Sequence, residues 1–152
     1  MPKFGPAGNS ESFSKMGYKN SLDVPEYIVK MGLDCYEYQC GRGVNIGEEK
    51  ARLLGEKAAK AGITLSLHAP YYISMSSTEG EKRDNSVNYI LASARAVNAM
   101  GGDRIVVHTG SCGKISRSDA LDLALDTMRK AIAATGAAKK ISTKSDKASA
   151  NT

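Results

Sequence analysis

Apolar residues along this chain fall into short alternating runs separated by longer stretches of helical period. Ile63-Thr-Leu-Ser-Leu-His68 and Arg104-Ile-Val-Val-His108 alternate as half-buried strands do, and each ends on a histidine. Leu65 and Leu67 belong against a helix layer, which turns Ser66 and His68 to the opposite face. The same parity sends Ile105 and Val107 one way and Val106 and His108 the other. Two more strands are predicted. Lys3-Phe4-Gly5 is the first, and Cys35-Tyr-Glu-Tyr-Gln39 is the second, with Cys35, Glu37 and Gln39 on one face and Tyr36 and Tyr38 on the other.

Between the strands the period changes to that of a helix. Pro25 to Met31 is predicted helical, with Asp23 as its cap and Gly32 as its stop. Glu48 to Ala61 repeats Ala51, Leu54, Ala58 and Ala61. A helix from about Asn85 to Met100 carries Val87, Ile90, Leu91, Ala94 and Val97 as a buried stripe. The last begins at Ser116, faces Ala120, Leu121, Ala124, Met128 and Ala131 inward, and closes at Gly136.

Four βα units in succession predict an α/β fold with a parallel sheet, and specifically half of a (β/α)8 TIM barrel, which takes about 250 residues when complete. An open four-stranded sheet is the competing arrangement. No GxGxxG follows the first strand, and neither Gly41-Arg-Gly43 nor Gly101-Gly102 has a phosphate-loop layout. Residues 1–136 are read as the half-barrel. Residues 137–152 turn to Ala, Lys, Ser and Thr with one isoleucine, and are read as a disordered basic tail.

Charge changes the picture little. The net charge is +5, but Lys139, Lys140, Lys144 and Lys147 against Asp146 place +3 of it in the tail. The folded part is therefore nearly balanced, and bulk charge alone does not argue for nucleic acid. No run is long enough for a membrane span and no secretory h-region opens the chain, so a cytoplasmic protein is expected. Cys35, Cys40 and Cys112 make an odd count without CxxC and are read as free thiols.

The candidate chemistry gathers at the two histidines. Residues at the same place in consecutive βα units share one end of the sheet, where barrels keep their metals and substrates. A pair of neutral imidazoles suits zinc, although a zinc site wants three or four ligands. Glu37 is the inner-face acid beside them, equally readable as a buried acid paired with a base. Tyr71, exposed after His68, is suited to stacking on a base. Arg42, between two glycines, is suited to a phosphate.

Phe4-Gly-Pro-Ala-Gly-Asn9, Tyr36-Glu-Tyr-Gln-Cys-Gly-Arg-Gly-Val44, His68-Ala-Pro-Tyr-Tyr-Ile73 and Val107-His-Thr-Gly-Ser-Cys112 together resemble the endonuclease IV family. These are xylose-isomerase-like TIM barrels that cleave DNA at abasic sites with a zinc cluster. The resemblance runs from about Lys3 to Gly136 and implies the N-terminal half of such a barrel, a truncated member. It implies His68 and His108 as zinc ligands and Tyr71 and Arg42 as contacts to damaged DNA. Thr109 stands where the family's His-Pro-Gly-Ser motif has proline. The family's remaining ligands lie on later strands, so an incomplete, weakly binding site without catalysis is expected of this chain. Two other readings fit the same residues: a sugar isomerase or epimerase in which Glu37 matters more, and a non-catalytic half-barrel that self-associates through open strand edges.

Overall fold

A computed structural model describes residues 1–136 and 141–144. Strands β1 (Cys35–Gln39), β2 (Thr64–His68), β3 (Ile105–His108) and β4 (Ile141–Lys144) form one sheet in the order β1-β2-β3-β4. Every neighbouring pair is parallel. The helices are α1 (Glu11–Lys15), α2 (Val24–Lys30), α3 (Glu48–Lys60), α4 (Gly80–Ala99) and α5 (Arg117–Thr135), with a 3-10 turn at Ser21–Asp23. Consecutive strands adjacent in space and joined through helices are the arrangement of a barrel sector.

The alternation read from the sequence sets the faces. Tyr36, Leu65, Leu67, Ile105 and Val107 lie in one buried cluster with Leu54 of α3 and Ile90 and Val97 of α4. Each fully buried aliphatic side chain there contributes about 1.5–3 kcal/mol. Gly102 lets the chain turn tightly into β3, since a Cβ there would meet Val97 Cγ2 at 2.6 Å and Leu65 O at 2.9 Å.

Several local expectations are corrected. Lys3-Phe4-Gly5 forms no strand. The segment runs beside β1 irregularly, with the Phe4 carbonyl accepting from the Asp34 and Cys35 amides and a single bridge between Ala7 and Glu37. Pro6 has no N–H to give a ladder. Asp23 makes no side-chain cap on α2. Its carboxylate instead accepts from the Asn20 amide at 3.0 Å and closes a capping box on the 3-10 turn. Helix α4 starts at Gly80, five residues before the expected start at Asn85, because its first turns are polar and give no hydrophobic period. Leu121 is exposed rather than inward. The buried line of α5 is Ala120, Thr127 and Ala131, whose small side chains allow close approach, and Leu121 points a further ~100° around.

Ile141–Lys144 pairs with β3, from Ile141↔Ile105 to Lys144↔His108, where the sequence reading has no strand. The rest of the basic tail lies outside the described residues. Among the described residues no helix is long and apolar enough to cross a membrane.

Candidate metal centre

His68 is the last residue of β2 and sits opposite Val106 in the register. Its backbone is held from both sides. The Cys40 amide donates to the His68 carbonyl at 3.1 Å, and the Ala69 amide donates to the Val106 carbonyl at 2.9 Å. His108 ends β3, two residues beyond Val106 and so on the same face. The two Nε2 atoms are 3.0 Å apart, with ring centroids at 4.9 Å and planes inclined by 49°.

His68 is 7% exposed and His108 half-buried. His68 Nδ1 lies 3.0 Å from the Ala69 carbonyl. A carbonyl only accepts, so Nδ1 carries the proton and Nε2 presents its lone pair toward His108. This is the tautomer that a backbone-oriented metal ligand uses. Two ligand atoms on a tetrahedral zinc, with bonds of roughly 2.0–2.1 Å, lie roughly 3.3 Å apart. The 3.0 Å contact then needs the proton on His108 Nε2, so the pair fits as two donors of one cation once that proton is given up and the atoms shift by a few tenths of an ångström. Among the described residues no group of three or more His, Cys, Asp or Glu side chains could hold a metal. The donor set is thus partial.

The other candidates are placed around this pair. Glu37 is half-buried in β1, opposite Ser66, and its carboxylate accepts from Gln39 Nε2 at 3.1 Å. It does not join the histidines as a third member of a metal group. Gln39 lies opposite His68 and on its face, a neighbour the sequence reading puts on the right side without assigning it chemistry. Tyr71 is 64% exposed, with its ring centroid 6.3 Å from that of His68. Arg42 is exposed in the loop after β1. Cys112 is exposed, whereas Cys40 is buried and its thiol is pushed up to about 12 by that burial.

The loop from Ala69 to Glu79 is fixed by residues that motif reading passes over. The Ser74 amide donates to Ser86 Oγ of α4 at 2.8 Å. Thr127 Oγ1 of α5 donates to the Met75 carbonyl at 2.9 Å, and Met75 is fully buried. Both hydroxyls interrupt otherwise apolar helix faces, and that interruption is the signal available in the sequence.

A family model described as a xylose isomerase-like TIM barrel matches residues 25–140. The chain belongs to the xylose isomerase-like TIM barrel family. It is 35% identical over 92 residues to an uncharacterised protein of Methanocaldococcus jannaschii, covering 60% of this chain and 33% of that one. It is 30% identical over 91 residues to a probable endonuclease 4 of Malacoplasma penetrans, covering 60% and 32%. Among solved structures, 3-keto-D-glucoside 4-epimerase from E. coli superimposes with a TM-score of 0.70 at 19% identity, over 93% of this chain and 55% of that one. Endonuclease IV from Thermus thermophilus superimposes with a TM-score of 0.59, also at 19% identity, over 93% and 51%. The chain thus spans about a third of those curated relatives and about half of those solved barrels. The motif resemblance and these similarities agree on the family, and the structural likenesses carry the barrel fold.

Proposed function

We propose that this chain supplies the amino-terminal part of a zinc centre in an endonuclease IV-like phosphodiesterase acting at abasic sites in DNA. The observation that carries this reading is the 3.0 Å approach of His68 Nε2 and His108 Nε2 at the strand ends. The similarity to a probable endonuclease 4 supports it over a sugar epimerase, for which the support is the fold alone.

His68 and His108 are the proposed metal ligands. A bound zinc would supply Lewis acidity and a water acidified toward neutrality. The Ala69 carbonyl keeps His68 in the tautomer whose Nε2 can donate its lone pair. Tyr71 presents an exposed ring beside that site, suited to stack on a base or fill the gap beside an abasic sugar. Arg42 presents a guanidinium to the phosphodiester backbone. Glu37 serves as an inner-face acid that orients Gln39.

Among the described residues no third ligand joins the two imidazoles, which makes a weak site, so we expect this chain to bind rather than cleave. A labelled duplex carrying one tetrahydrofuran abasic analogue tests the reading. The expected result is tighter binding than to the intact duplex, strengthened by zinc, with strand cleavage at background. Equal binding of both duplexes, with and without zinc, would overturn it.

A further inference from the structure

The register between β2 and β3 stops two residues short of His108. The pairing comprises Leu67↔Ile105 and His68↔Val106, and the amide of Ala69 closes it on the Val106 carbonyl. His108 stands two residues further on. β4 holds its backbone through the His108↔Lys144 pairing, and on the β2 side its separation from His68 is left to the loops that leave the two strands.

Those loops are joined by a hydrogen bond. Ser76 Oγ donates to the Ser111 carbonyl at 2.8 Å, linking the segment after His68 to the residue three beyond His108. Ser76 is 5% exposed. Its own backbone is immobilised through the preceding residues, by Ser86 holding the Ser74 amide and Thr127 holding the Met75 carbonyl. The hydroxyl is thus a fixed point against which the His108 loop is set. Gly110 makes the approach possible. It has a φ of +102°, and a Cβ there would lie 2.7 Å from Ser76 Oγ and 3.6 Å from the Met75 and Ser76 amides. Any side chain at position 110 would pry the latch open.

We propose that Ser76 is a positioning residue for the histidine pair, and that the Ser76–Ser111 latch, admitted by Gly110, sets the His68–His108 separation and with it the affinity for a divalent metal. This rests on the reading of the two histidines as metal ligands. The latch acts on geometry and contributes no ligand of its own. An outer residue that orients ligands is worth about 10–100-fold in metal affinity.

The test uses the full chain with Ser76→Ala, Ser76→Thr and Gly110→Ala, beside His68→Ala. Zinc affinity is measured by competition with a chromophoric chelator, and fold integrity by circular dichroism. Nitrogen-detected NMR of the histidine rings in metal-free protein reports the Nε2–Nε2 contact independently of any metal. Ser76→Ala and Gly110→Ala are expected to weaken zinc binding about 10–100-fold and to shift the ring nitrogen resonances at unchanged secondary structure. Ser76→Thr, which keeps the hydroxyl, is expected to retain both properties. Wild-type ring resonances in both Ser76→Ala and Gly110→Ala would overturn the latch, whatever the metal does. If His68→Ala also binds zinc as the wild type does, the ligand reading falls separately. Should Ser76→Ala lose its secondary structure, Gly110→Ala carries the same test from the opposite side of the bond.

Discussion

The Tyr71 amide donates to the Gly41 carbonyl at 3.0 Å, so the loop that leaves His68 is tied to the loop that carries Arg42. Gly41 has a φ of +58°, which lets its carbonyl turn toward the neighbouring loop. The exposed ring and the exposed guanidinium are therefore presented from one connected rim. If that rim grips DNA, the two side chains fail differently. Tyr71→Ala is expected to cost about 1–3 kcal/mol of binding to the abasic duplex with little change in salt dependence. Arg42→Ala is expected to weaken abasic and intact duplex alike and to lower the slope of log K against log salt by about 1. Fluorescence anisotropy titrations at several salt concentrations separate these outcomes.

Thr127 holds the same loop from below. Its single hydroxyl proton is shared between the Met75 carbonyl at 2.9 Å and the Leu123 carbonyl of its own helix at 2.8 Å, and the residue is buried. Thr127→Val keeps the volume and leaves the Met75 carbonyl without this donor. The expected loss of stability is about 1–3 kcal/mol, read as a lower urea midpoint at unchanged m-value. An unchanged midpoint would mean that the loop is secured elsewhere.

Gly5 marks where the amino-terminal segment touches β1. A Cβ there would fall 1.6 Å from the Cys35 carbonyl oxygen, a backbone atom that cannot rotate away. Gly5→Ala is expected to displace residues 3–8 from β1 and cost about 1–3 kcal/mol. Hydrogen exchange at the Glu37 amide, which donates to the Pro6 carbonyl at 3.1 Å, reports the displacement directly.

The positions of the two histidines are legible in the sequence because parity is strict in a strand. Once Leu65 and Leu67 claim the helix side, His68 has one face left, and Ile105 and Val107 do the same for His108. Helix faces are less sharply marked. Leu121 and Leu125 form an apolar line as plausible as Ala120, Thr127 and Ala131, and only the packed sheet decides that the smaller residues go inward. Ile141–Lys144 escapes a reading of the sequence because its single isoleucine gives little hydrophobic signal, while the open edge of β3 offers backbone partners irrespective of side chain. The Ser76–Ser111 contact spans 35 residues and leaves no local pattern beyond the glycine at position 110.

The cysteines offer a pH-dependent test. Burial pushes the Cys40 thiol up to about 12, so the fold favours its neutral form. That preference is fully present below the ordinary thiol value of about 8.5 and is lost as pH rises through it toward 12. At pH 8 Cys40 is therefore held as the neutral, unreactive thiol. Exposed Cys112 is expected to alkylate within minutes under native conditions and Cys40 only on unfolding. Mass mapping of iodoacetamide adducts, with and without urea, checks this.

The proposed zinc centre requires one cation to be held by both imidazoles. X-ray absorption at the zinc edge of the loaded protein counts them, since histidine rings give outer-shell scattering that water and carboxylate do not. The expected count is two in the wild type and one in either His68→Ala or His108→Ala. A zinc bound to the wild type with no histidine scattering, or a count unchanged by both substitutions, would contradict a cation shared by His68 and His108.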